Sequence, residues 1–151
     1  MASLYLWLKY LHLVGLAVFL LGHGVSAGTS LVLRRPLPDV LRGSLLQLSI
    51  RGNFASFPGL ALLLITGVWM GFLGSWWHLG WIWAAIVVLV AVTVAMSAQS
   101  VPYHKARDVV GKSKPEGELE SELKHARPVV MAVIGSVGLV ILIFLMVFKP
   151  F

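Results

Sequence analysis

The stretch VVMAVIGSVGLVILIFLMVF, residues 129–148, carries no charged side chain from end to end. At about 1.5 Å of rise per residue such a run matches a hydrocarbon layer of about 30 Å. Three further segments read the same way, roughly 4–33, 53–75 and 81–103, and none contains an Asp or Glu. The chain has 151 residues, of which 58% are hydrophobic and only 12% charged. A soluble core of this size could not hide that much apolar surface. The reading is therefore all-α: one polytopic membrane domain, residues 1–151, built as a bundle of four transmembrane helices.

The charges give the bundle a direction. Arg34, Arg35, Arg42 and Arg51 follow the first run, and Lys105, Arg107, Lys112, Lys114, Lys124 and Arg127 follow the third. Only Lys9 and Lys149 remain for the opposite face. The positive-inside rule puts both basic loops in the cytoplasm and both termini outside. Trp7, Trp69, Trp76, Trp77, Trp81 and Trp83 then all fall at or near the outer face, where indole rings favour the headgroup layer. The net charge of +6 is explained by topology and by anionic lipid, so nucleic acid is not an expected partner. A signal-peptide reading of Leu11–Ala27 is disfavoured, because apolar sequence continues through Leu33 and the only upstream charge is Lys9.

Two connections have some structure of their own. Pro36 and Pro38 break the first helix, after which Asp39 can cap a short interfacial helix over about 40–50. The second cytoplasmic loop, 104–128, passes a turn-prone stretch at Gly111–Pro115 and then an acidic helix over 116–125.

Candidate chemistry rests on five histidines. His12 and His23 lie eleven residues apart, which places them about 20° from each other on one helix face. Gly15, Phe19, Gly22, Ser26 and Ser30 continue that face as a small and polar stripe, which in lipid should turn toward protein. Thr93, Ser97, Ser100 and His104, with Met96 close by, form a second stripe that could meet it in the bundle interior. By depth, His12 pairs with Met70 or His78, and His23 with Met96 or His104. His78 and His125 adjoin loops and are expected to be solvated.

Imidazoles beside glycines in a membrane bundle are a common way to hold haem b, the ring nitrogen binding iron while glycine makes room for the macrocycle. Gly15, Gly22 and Gly24 stand in suitable places. The cofactor-binding candidates are His12, His23, His104, Met70 and Met96, with His12 and His23 as metal ligands. Copper is the alternative cofactor, since Cu(I) favours Met and His and Met70, Met96, Met131 and Met146 all lie within spans. The patterns Gly24–Gly28 and Gly67–Gly71 are small-xxx-small, which also allows an accessory subunit or homo-oligomer assembled through helix faces. Zero cysteines exclude disulfides and thiolate chemistry. There is no phosphate loop, no His-Glu-x-x-His helix and no nucleophile elbow.

The opening Leu8-Lys9-Tyr10-Leu11-His12-Leu13-Val14-Gly15 and the continuation to Gly22, with Thr66-Gly67 and Val101-Pro102-Tyr103 before a basic run, resemble a family of bacterial four-helix integral membrane proteins. That family is distantly similar to copper-resistance-D-like domains and to haem-containing membrane protoporphyrinogen oxidases. The resemblance implies an inner-membrane location and haem at the first-helix histidine, here His12. For a redox protein the outer aromatic cluster would be a platform for a quinone, with electron exchange with quinol as the reaction. The oxidases also use a third-helix lysine, and Trp81–Tyr103 has none. The resemblance therefore implies haem binding without that particular activity.

Topology is directly testable because the chain has no native cysteine. A single cysteine placed in the 75–80 turn is expected to react with a membrane-impermeant maleimide on intact cells. One placed at 111–115 should react only after permeabilisation, and the reverse pattern would invert the assignment.

Overall fold

The computed structural model describes residues 2–111, 121, 123, 124 and 126–151. Among these it is all-α: α1 is Ala2–Val32, α2 Asp39–Leu73, α3 Gly80–Gly111 and α4 Pro128–Phe148, with a short 3-10 turn at Trp76–His78. All four helices are long and apolar enough to cross a membrane, which makes this a multi-pass integral membrane protein. Of the acidic helix expected over 116–125 only Ser121, Leu123 and Lys124 are described, each of them helical, and His125 lies outside the residues described.

α1 and α2 form an antiparallel hairpin with by far the largest interface in the molecule, and α3 and α4 form a second. The two hairpins touch each other sparsely. Four glycines explain the first pairing. A Cβ on Gly22 would stand 2.6 Å from the Ser56 nitrogen and 2.7 Å from the Gly52 carbonyl oxygen. One on Gly15 would stand 3.0 Å from the Gly59 carbonyl oxygen, and one on Gly59 would collide with the Phe19 backbone. The glycines are seven residues apart on both helices, two turns, so the backbones meet twice along one seam. In lipid there is little hydrophobic drive between helices, so this close approach and its dispersion contacts supply the association.

Residues 40–50 are not a separate interfacial helix. They are the first turns of α2, which starts from Pro38 as its N-cap residue and runs unbroken for 35 residues. Asp39 is accordingly the first helical residue rather than the cap. Continuity through Gly52 is enforced by α1, since Gly52 packs on Val25 and the Gly22 carbonyl. Leu46 and Ser49 are buried on the same side, at 2% and 1% exposure. α3 likewise runs past Tyr103 to Gly111. At about 1.5 Å per residue, α1, α2 and α3 exceed the thickness of a hydrocarbon core, whereas the 21 residues of α4 match it.

The overhang builds a core at the basic end. Leu33 of the α1 end, Leu46 of α2, and Tyr103, Ala106 and Val109 of α3 bury one another, with Leu123, Ala126 and Met131 packed alongside. Buried residues gather again at the tryptophan end, where Leu8, Met70, Trp81, Ile82, Ala85 and Leu145 are sequestered. The outer faces are the apolar rows Val87, Val90 and Val94 of α3 and Val133, Val137, Val140 and Phe144 of α4. These rows meet lipid.

Gly59→Val and Gly22→Val should each destabilise the bundle by about 1–3 kcal/mol or more, the cost of overpacking where only backbone can yield. Gly24→Val should leave the detergent melting temperature close to that of the parent, because nothing lies within 4 Å of a Cβ there. Equal melting of the Gly59 and Gly24 variants would refute the seam.

Candidate functional site

The polar stripe of α1 does turn toward protein, but its partner is α2 rather than α3. Along the seam His12 meets Thr66, Gly15 meets Gly59, Gly22 meets Gly52, and Ser26 meets Ser49 with their hydroxyl oxygens 3.0 Å apart. The stripe expected on α3 is not its counterpart. Thr93 and Ser97 are on the bundle surface, and His104 is exposed. The Thr93 hydroxyl donates to the Leu89 carbonyl and that of Ser100 to the Ser97 carbonyl. Hydroxyls satisfied within their own helix can face lipid at little cost.

His12 has the most defined surroundings of the histidines. Its Nδ1 lies 3.0 Å from the Thr66 Oγ1. The Thr66 hydroxyl donates to the Leu62 carbonyl at 2.6 Å, with the Leu63 carbonyl at 3.2 Å. That hydroxyl has one proton, and it is already committed, so its oxygen accepts from His12 Nδ1–H. The neutral imidazole then carries its free lone pair on Nε2. Thr66 is 2% exposed, and the ring edge at Cε1 rests over Gly67, where a Cβ would come within 3.1 Å. The glycine is a notch for the imidazole.

The other candidates do not converge on His12. Met70 lies one turn beyond Thr66 on the same buried face of α2, at 7% exposure, so it shares the seam without an observed contact to the ring. His23 stacks on Phe19, ring centroids 5.4 Å apart and nearly parallel. Eleven residues of helix hold it about 16 Å from His12 along the axis, so the two cannot ligate one ion. Met96 belongs to the second hairpin, its Cε 3.7 Å from where a Gly135 Cβ would stand. His78 is on the turn and exposed, as its place beside a loop led one to expect. Met131 borders the basic-end core and Met146 lies on the outer surface. Among the described residues no three His, Cys, Asp or Glu side chains gather as a metal cluster.

The donor chemistry fits an axial ligand, because a metal-bound histidine characteristically donates its other ring N–H to a fixed acceptor. The space expected at Gly15 and Gly22 does not fit a macrocycle, since the α2 backbone fills it. Gly24 and Gly28 are the open glycines of α1. A shallow groove of about 520 Å³ runs along α2 over Leu64, Ile65, Val68, Trp69 and Phe72. Its walls are apolar and contain neither histidine nor methionine, as befits a surface that acyl chains cover.

Sequence reasoning missed Thr66 as the partner of His12 and Gly52 and Gly59 as partners of Gly15 and Gly22. The repeated seven-residue glycine spacing was the available signal. It also missed Tyr103, 4% exposed, whose hydroxyl pairs with the Ser30 side chain near Arg34 and joins α3 to α1. No family model, curated protein or solved structure matches this chain.

Proposed function

We propose that this chain is a multi-pass protein of the cell inner membrane, with both termini outside the cytoplasm, that binds haem b through His12 and takes part in electron exchange with quinone. The observation that carries the reading is the His12–Thr66 pair, which commits Nδ1 and leaves Nε2 as the ligating nitrogen. Haem, when bound, supplies a one-electron couple tuned by its axial ligand and that ligand's own hydrogen bond. Thr66 holds the imidazole plane and tautomer, and Gly67 admits the ring. Lys9, one turn from His12, carries a positive charge suited to a propionate. His23, deeper in α1 and beside the open Gly24, is the second candidate ligand. The aromatic cluster around Trp76, Trp77 and Trp83 offers flat apolar surface to a quinone ring.

A second reading is favoured by Gly24 and Gly28, a small-xxx-small pair with open space on α1. Such a face suits another membrane helix, which would make the chain an accessory or assembly subunit. Nothing in the methionine distribution favours the copper alternative.

The deciding measurement is an ultraviolet–visible spectrum of detergent-purified protein, oxidised and then dithionite-reduced, after expression with ample haem. A Soret band that sharpens and shifts on reduction is expected, and His12→Ala should abolish it while circular dichroism stays helical. Thr66→Val, nearly isosteric, should weaken haem retention by about 10–100-fold, the usual consequence of losing an outer-shell partner. A featureless spectrum from a folded, monodisperse protein would sink the haem reading. A stable oligomer that Gly24→Leu dissociates would favour the second.

A further inference from the structure

At the tryptophan end the chain reverses twice, and the two reversals meet. Among the described non-glycine residues only Ser75, φ 51°, and Lys149, φ 46°, adopt positive φ. Side-chain-bearing residues enter that region at a cost, so surrounding contacts must hold them there. Ser75 starts the turn that presents Trp76 and Trp77. Lys149 ends α4 and turns the chain back toward α3, its N–H bonded to the Leu145 carbonyl at 3.1 Å.

The returning residues grip the 3-10 turn and the start of α3. The Lys149 Nζ sits 4.0 Å above the Trp76 ring and 5.4 Å from that of Trp81. The main-chain oxygen of Phe151 accepts the Trp81 N–H at 3.1 Å, satisfying a donor at the start of α3 that has no partner within its own helix. The Phe151 ring covers Gly80, where a Cβ would come within 2.9 Å, and Gly74 similarly leaves room for the Trp76 indole. Trp76 in turn packs on Trp81 at 5.5 Å and meets Tyr5 of α1 edge-on at 6.1 Å. Through Tyr5 this assembly fastens the first hairpin to the second, which otherwise touch little.

We infer that Lys149–Phe151 is a clasp whose release opens the tryptophan end of the bundle between its two hairpins. All six Asp and Glu residues lie in the two basic segments, so no acidic side chain of this end can anchor Lys149. Its hold is by ring faces and one backbone hydrogen bond, contacts that part without leaving a buried charge behind. The Trp81 indole N–H, in a side chain 1% exposed, has no partner among the described residues. Closure therefore keeps a donor unsatisfied that opening would hydrate. The inference does not depend on the haem reading.

The test uses the cysteine-free background. Ala85, 2% exposed and one turn beyond Trp81 on the same face, is replaced by cysteine, and its maleimide labelling rate is measured in proteoliposomes. Ala106, fully buried in the basic-end core, carries the same reporter in a parallel series of variants. Lys149→Met and Phe151→Ala should speed labelling at Ala85→Cys by about tenfold, the signature of a local opening, and leave Ala106→Cys unchanged. Lys149→Arg keeps the cation over the rings and should label at the parent rate. Unchanged labelling at Ala85→Cys in both clasp variants would overturn the inference, as would equal acceleration at both ends. Should Ala85→Cys fail to fold, Ile82→Cys, 7% exposed beside Trp81, replaces it.

Discussion

Direct backbone contact between α1 and α2 is the constraint on which the rest of this molecule depends. Water drives apolar helices together, but acyl chains do not, so two membrane helices associate through packing and hydrogen bonds. Gly15, Gly22, Gly52 and Gly59 let the two main chains touch at levels two turns apart. Once those contacts form, the register of everything else on α1 follows. His12 is brought to Thr66, Ser26 to Ser49, and the N-terminal turns of α2 are held helical beyond the span they needed.

The second hairpin is assembled differently. Gly138 admits Val92 and Gly135 admits Met96, so side chains of α3 seat in notches of α4 instead of backbone meeting backbone. The two hairpins are then joined chiefly at their ends. At one, Tyr103 reaches Ser30 and a small apolar core closes around it. At the other, aromatic rings and the returning Lys149–Phe151 segment make the closure. Taken as a whole, the two hairpins meet lightly.

Many hydroxyls in the spans are satisfied within their own helix. Thr29, Ser30, Ser56, Thr66, Thr93 and Ser100 donate to carbonyls three or four residues back. The Trp83 indole donates to the Trp77 carbonyl at 2.9 Å. This matters for His12, because a hydroxyl whose proton is spent in its own helix can act only as an acceptor. A threonine so committed makes a directional partner for imidazole, and that directionality gives His12 chemistry that His23, stacked on Phe19, lacks.

Class, number of spans and the uneven distribution of tryptophan and positive charge were legible in the residues alone. These depend on summed hydropathy and on charge per loop, which are additive along the chain and need no partner. The His12 face of α1 was equally marked as a face turned toward protein, since a polar stripe in lipid has no other stable position. Which helix would cover that face emerged only in three dimensions. The choice of α2 over α3 rests on complementary surface shape, four glycines matched across an antiparallel pair, and shape matching is a property of two elements jointly. The continuity of α2 through residues 40–53 was settled there too, because burial of Leu46 and Ser49 and the packing of Gly52 outweigh the local signals for a break. The meeting of Lys149 with Trp76 and Trp81 joins residues about seventy positions apart through a left-handed turn that no local pattern announces.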